Sequence, residues 1–273
     1  MANDWGEDAT RRAKAALINP SVPNAARVVD YLYGGQNNFE ADRKAARILA
    51  ATAPGIIAIP PAVRGFQQRA LRFLVLEAGI RQILDIGMGL PLVGATHEVA
   101  QSLVPECRIA YVDNDPMVLS HARAMMTSAP GGAIGFVDAD VRDPESIVAG
   151  AQPTLDFSQP IAVLLLFTLS YVEDAAEASA VVPALMATVP SDSYAAGYHL
   201  ASDLAPALDE AARQWNKMMP TQPITLRSHA EVAGLVAGLE PVPPGVVPIT
   251  EWRPDDDGQE RFVPVHGVVA RKS

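Results

Sequence analysis

Three acids and two glycines, each placed at the end of an apolar run, carry the chemistry that this sequence offers. The first run, Ile83-Leu84-Asp85-Ile86, continues into Gly87-Met88-Gly89. Its apolar residues fit a buried strand. The glycines let the backbone turn sharply and lie close against a ligand, because neither has a Cβ. Asp113 follows a second run, Arg108–Val112, and Asp140 follows a third, Ile134–Val137. In open α/β sheets, ligands bind beyond the carboxyl ends of the strands, and an acid after the second strand can accept hydrogen bonds from both hydroxyls of a ribose. The expected ligand therefore carries a nucleoside. Asp113 is expected at its ribose. Asn114, Asp140 and Val141 are expected around its base, with Asp140 accepting from the base's amino group. A fourth run, Ile161–Phe167, is followed by Thr168, Ser170 and Tyr171, where the reacting end of the ligand should lie.

Each of these residues also has an ordinary reading. Asp-x-Gly-x-Gly can simply end a strand, and an acid ahead of a helix can cap it. Asp115, just before Pro116, fits that capping role. Thr168–Tyr171 can be plain strand-end residues.

The spacing of the glycines separates two ligand classes. A dinucleotide site wants a third small residue, G-x-G-x-x-G/A, so that helix and strand pack closely beside the pyrophosphate. Here that position is Leu92, which disfavours an NAD-dependent oxidoreductase. An acid ahead of the glycines, as in Asp85-Ile86-Gly87-Met88-Gly89, resembles the first motif of class I S-adenosylmethionine (SAM) methyltransferases.

Other chemistries find no support. His97-Glu98-Val99-Ala100-Gln101 lacks the second histidine of a zinc-binding His-Glu-x-x-His. Cys107 is the single cysteine, so neither a disulfide nor a Cys-x-x-Cys metal site can form within the chain. No metal is expected, and no Gly-x-Ser-x-Gly nucleophile elbow occurs. The formal charge of −10 over 273 residues argues against a nucleic-acid or anionic-membrane partner. The longest apolar run, Ile161–Leu169, is far short of the roughly 20 residues of a membrane helix. Residues 1–19 lack the apolar core of a secretion signal, which leads to an expected cytoplasmic location.

These residues must be held by a larger pattern. Helices are expected over about Asn24–Gly34, Phe39–Ala51 and Val63–Ala78, with a further helix possible at Ala9–Leu17 and interruptions at Pro54 and Pro60-Pro61. From Gly79 onward strands and helices alternate, which indicates a parallel sheet. Helices are expected at Pro91–Leu103, Met117–Thr127, Ala175–Thr188 and Ala205–Met218, and from Ser228. Further strands are expected at Tyr194–Tyr198, Leu239–Val242 and Val263–Val269. The division that follows is a helical extension over residues 1–78 and a ligand-binding core over residues 79–273.

The turn at Gly34-Gly35 is surrounded by charge, aromatic surface and amide groups: Arg27, Tyr31, Asn38, Phe39 and Arg43. A solvated turn is the plain reading. The functional one is a lid that orders over the ligand and shapes the acceptor pocket, with Arg27 or Arg43 pairing with a carboxylate.

The combination Ala26-Arg27-Val28-Val29-Asp30-Tyr31-Leu32-Tyr33-Gly34-Gly35, Asn38-Phe39, Ala41-Asp42-Arg43, Gly79–Gly87, Thr96–Gln101, Tyr111–Pro116, Gly245–Pro248 and Trp252-Arg253-Pro254 resembles an actinobacterial family of SAM-dependent methyltransferases once catalogued as a domain of unknown function. The resemblance implies a Rossmann-like three-layer α/β sandwich. Its sheet would be mostly parallel and seven-stranded with an antiparallel C-terminal strand, under an N-terminal helical cap. It also implies that Asp85, Gly87, Gly89, Asp113 and Asp140 serve SAM binding. Met88 replaces a usual threonine and Ser170 a frequent histidine, which puts histidine-based proton transfer at position 170 in doubt.

The reading is SAM-dependent methyl transfer to a small-molecule acceptor in secondary metabolism, with S-adenosylhomocysteine as product. Cofactor contacts are expected from Asp85, Gly87, Met88, Gly89, Asp113, Asn114, Asp140, Val141 and Thr168. Tyr171 and His199 are the candidates for a base, should the acceptor need to lose a proton. The alternative is a SAM-binding protein with a structural, sensory or other catalytic role.

Overall fold

The structure, a computed structural model, describes residues 19–255 and 261–273. The possible helix at Ala9–Leu17 lies outside them. Among the described residues there are eight strands and nine α-helices.

The sheet is built from runs whose side chains alternate between two apolar layers. In β1 (Gln82–Ile86), Ile83 enters one buried cluster while Leu84 and Ile86 enter another. In β2 (Arg108–Asp113), Ile109 and Tyr111 point one way and Ala110 and Val112 the other. A period of two with both faces apolar requires helices on both sides. β3 (Ala133–Asp138), β4 (Ala162–Leu166) and β5 (Tyr194–Leu200) complete a parallel set, and β8 (Val265–Arg271) pairs antiparallel with β5. The order is β3-β2-β1-β4-β5-β8-β6. The seventh position is shared by two short pieces, β6 (Glu240–Pro241) and β7 (Val247–Pro248), both paired with β8. The expected strand Leu239–Val242 is thus cut short, and the chain turns at Pro243-Pro244-Gly245 before pairing again.

One face carries α1 (Ala25–Leu32), α2 (Glu40–Thr52), α3 (Ile59–Arg72), α4 (Thr96–Leu103) and α8 (Pro206–Met218). Val28, Leu49, Phe66 and Leu71 are fully or almost fully buried, in one cluster with Ile83, Ile109 and Val265. Residues 25–72 therefore share their core with the sheet. α5 (Pro116–Met125) packs on β2 and β3. The other face is covered by α6 (Pro144–Ala151), which the pattern did not indicate, and by α7 (Ala175–Ala187). A short α9 (His229–Leu235) begins at its cap Ser228, whose hydroxyl accepts from the Glu231 N–H.

Two proline expectations are corrected. Pro60-Pro61 does not interrupt a helix: both residues sit in the first turn of α3, where a missing N–H is no loss. Pro91 does not start a helix. The chain runs as a loop until Thr96, because Glu98 reaches back to the Gly94 and Ala95 N–H groups (2.6 and 3.2 Å) and fixes the start of α4 there. No single helix among the described residues is long and apolar enough to cross a membrane.

Candidate active site

The loops after β1 to β4 open on a cavity of about 540 Å³. Asp85, Gly87, Met88, Gly89, Asp113, Asn114, Asp140, Val141, Thr168 and Tyr171 all line it. Residues far apart in the chain meet there because parallel strands end together.

The turn after β1 depends on its glycines. Gly87 has φ +78° and Gly89 φ +62°. A Cβ at Gly87 would run into the Thr168 side chain, whose hydroxyl donates to the Ile86 carbonyl. The Gly87 N–H donates to the Val112 carbonyl (2.8 Å), and the Gly89 N–H donates to Asp113 Oδ2 (3.0 Å). Asp113 Oδ1 accepts from the Asp115 N–H (2.9 Å). Each Asp113 oxygen thus accepts one backbone donor, and a carboxylate can accept about two per oxygen. Asp115 caps α5 by accepting from the Met117 N–H (2.8 Å).

Asp85 is buried at the foot of the cavity and accepts from the Thr96 hydroxyl (2.6 Å), which in turn accepts from Gln67 Nε2 (3.0 Å). Burial pushes the Asp85 carboxyl up to about 6, against the Thr96 hydrogen bond and with a further push from the Asp113 charge. Burial also raises Asp113 to about 6, opposed by the N–H groups of Asp115 and Gly89. Two carboxyls that titrate near 6 in one cavity mark a site prepared to receive hydrogen-bond donors.

Asp140 is used differently from the expectation. Arg142 grips it in a fork, Nε to Oδ1 and Nη2 to Oδ2, both 2.7 Å. The Arg142 N–H (3.0 Å) and Asn114 Nδ2 (2.9 Å) supply two more donors. The Arg142 guanidinium holds the carboxyl down at about 2. With about four acceptor positions taken, a base amino group could bond this carboxylate only by displacing Arg142 or Asn114. Asp140 therefore braces the ends of β2 and β3.

The two candidate bases differ in place. Tyr171 lines the cavity, its ring edge-on to Phe167 at 5.4 Å. Burial raises its phenol, so it stays protonated at neutral pH and is a donor, not a base. His199 does not face the cavity. Its Nε2 accepts from Arg227 Nη1 (2.6 Å) and lies 3.2 Å from the Ser170 hydroxyl, while Nδ1 lies 3.1 Å from the Leu200 carbonyl. Burial pushes its pKa down to about 4.

None of the five expected lid residues lines the cavity. Arg27 is 4% exposed and fully engaged: Nε donates to Asp42 (2.8 Å), and Nη2 donates to the carbonyls of Asn19 (3.2 Å) and Val22 (2.7 Å). Phe39 lies under the Arg27 guanidinium at 5.2 Å. Asn38 donates to Asp30 Oδ2 (2.8 Å) and to the Gly35 carbonyl (2.9 Å). Arg43 holds Glu40 (3.0 Å) and Asn38 (3.1 Å) on the outer surface. Tyr31 is half-buried. These groups tie α1 to α2, which leaves no free guanidinium there for a ligand.

The segment reaches the cavity through another face of α1. Ala26, Val29, Asp30 and Tyr33 line it, at the spacing of one helical stripe. Arg64 of α3 lines it too, its guanidinium 5.4 Å from the Tyr33 ring centroid, and no carboxylate among the described residues pairs with it. Tyr198 of β5 lines the cavity as well. Phe167, just before Thr168, has φ +76°, a strained backbone for a residue with a Cβ. Arg64, Tyr33, Phe167 and Tyr198 escaped the sequence reading. The spacing Ala26-Val29-Asp30-Tyr33 was the one available signal. Among the described residues, no cluster of three or more metal-binding side chains occurs.

The sequence model of the S-adenosyl methyltransferase family matches residues 11–273. Two solved structures are similar at high coverage. One is a DUF574 family protein of Streptomyces avermitilis, 36% identical, with a TM-score of 0.88 over 92% of this chain and 98% of that one. The other, from Thermobifida fusca and described as a candidate methyltransferase, is 38% identical, with a TM-score of 0.83 over 93% and 96%. A plantazolicin methyltransferase, BpumL, in complex with a triazolic desmethylPZN analog and S-adenosylhomocysteine shares the fold at 10% identity, with a TM-score of 0.55 over 97% and 99%. No curated protein matches the chain.

Proposed function

The chain belongs to the S-adenosyl methyltransferase family and is a SAM-dependent enzyme; from that premise we propose that it methylates a small-molecule acceptor of secondary metabolism. The observation that carries the proposal is the size of the cavity and its lining by α1 and α3. Helices α1 and α3 lie over the strand ends, so the methyl donor and the acceptor must share about 540 Å³. Such a space suits a metabolite.

The residues present fit the cofactor. Gly87 and Gly89 add no side chain to the turn, the Asp113 oxygens retain acceptor capacity, and Arg64 is a cation with no carboxylate partner among the described residues. We assign the ribose hydroxyls to Asp113 and the cofactor's carboxylate to Arg64. Met88 and Thr168 shape the walls, Asp85 anchors the turn through Thr96, and Asn114 and Val141 flank the base site, braced by Asp140.

When bound, SAM supplies an electrophilic methyl group on a sulfonium. The protein aligns the partners and excludes solvent, and alignment alone can supply much of the rate. Tyr171 donates a hydrogen bond at the reacting end. With Tyr171 protonated and His199 turned away, neither serves as the base.

A labelled-methyl assay against pooled small-molecule extracts, with S-adenosylhomocysteine binding measured in parallel, tests the proposal. Label entering a low-mass product supports it. Binding without transfer to any small molecule would favour the sensory or scaffold role.

A further inference from the structure

A second chamber, about 80 Å³, lies against the first. Val29, Tyr33, Val63, Phe167 and Tyr198 border both spaces, so the two meet along this shared wall. Beyond this wall the lining is hydrocarbon and ring, including Leu32, Leu49, Ile59, Leu208, Ala212 and Trp215. The Trp215 indole N–H donates to the Gln222 carbonyl (2.8 Å), so it offers the chamber no donor.

Two observations separate this chamber from slack packing. Native interiors keep few voids larger than a water molecule. The wall also contains the strained Phe167, its ring stacked 6.2 Å from Tyr198, and such backbone strain clusters at ligand sites. Size narrows the occupant. An apolar cavity of about 150 Å³ takes a benzene ring, and this one is smaller. The wall supplies polarity only through two phenols, Tyr33 and Tyr198, and each hydroxyl can donate.

We infer that the chamber receives a short alkyl arm of the methyl acceptor, whose heteroatom stays at the Tyr33–Tyr198 wall facing the cofactor cavity. The inference rests on the methyltransferase reading above and narrows its substrate class to small molecules with a slim apolar arm beside the nucleophile.

The test uses the full chain loaded with S-adenosylhomocysteine, 1-pentanol as the alkyl probe and 2-naphthol as the ring probe. Trp215 emission reports occupancy, with Trp215→Phe as the control that removes the signal. Pentanol is expected to give a saturable change and naphthol none. Ala212→Leu, which fills the chamber without touching the cofactor cavity, should weaken pentanol binding at least tenfold and leave S-adenosylhomocysteine affinity unchanged. Ala211→Val serves the same purpose if that variant misfolds. No saturable pentanol response, or an equal response in the filled variants, would make the chamber a packing void and overturn the inference alone. Failure of S-adenosylhomocysteine to bind, read separately by calorimetry, would overturn the methyltransferase reading together with it.

Discussion

Asp85 and Asp113 show how far a residue's role can be read from its position and where the surroundings take over. Both stand at strand ends visible in the sequence, and both carboxyls are raised to about 6 by burial. The free carboxyl titrates near 3.8, so between that value and 6 the native state holds more protons than the unfolded one. Stability therefore falls as pH rises through this window. Asp85→Asn removes the buried charge and keeps an oxygen for the Thr96 hydroxyl. It should stabilise the ligand-free protein by about 1–3 kcal/mol at pH 8, and the gain should vanish near pH 4. Urea unfolding at the two pH values checks this, and a variant less stable than wild type at pH 8 contradicts it. Asp140 was equally legible as a strand-end acid, but its partner Arg142 was not singled out, and that fork decides what the carboxylate can do. Arg64 was invisible for a related reason. An arginine within a helix declares no site until the fold shows that no acid among the described residues pairs with it.

At the scale of elements, the alternating runs fixed β1 to β5 closely, because a strand buried on both faces has to be apolar along its length. Residues 24–43 misled. Their polar groups suggested ligand contact, yet Arg27, Asn38 and Arg43 spend their hydrogen bonds within the segment, on α2 and on the preceding Asn19 and Val22 carbonyls. Arg27→Ala would leave Asp42, with no exposed surface, without its cation. A loss of about 3–5 kcal/mol in stability is expected, as for other broken buried pairs, with S-adenosylhomocysteine affinity unchanged in the protein that remains folded. Denaturant titration and calorimetry separate these effects, and a weakened affinity at full stability would restore Arg27 to the ligand. Hydrogen exchange gives a second check. Ligand should slow exchange over residues 25–33, whose Ala26–Tyr33 stripe lines the cavity, and leave residues 36–43 unchanged. Equal protection of both stretches would revive a lid spanning the whole segment.

For the molecule as a whole, the N-terminal helices form one layer of the sandwich. Val28, Ala45, Leu49 and Phe66 are buried in the same cluster as Ile83 and Ile109. Removing residues 1–43 would uncover that cluster, so the truncated chain should fail to fold. A cooperative unfolding transition in the truncated chain would contradict this. The boundary at residue 78 follows the change of pattern in the sequence, while the core runs across it. Periodicity reports which residues are apolar; which layers they join is a tertiary fact. The most direct test of the account is a calorimetric titration of S-adenosylhomocysteine into wild type and Asp113→Ala. Removal of the charged acceptor at the ribose should cost about 1.5–3 kcal/mol, a roughly ten- to hundred-fold loss of affinity, in a variant that unfolds as cooperatively as wild type. An unchanged dissociation constant would mean that the nucleoside does not lie at the carboxyl end of β2, and the site as built here would be wrong.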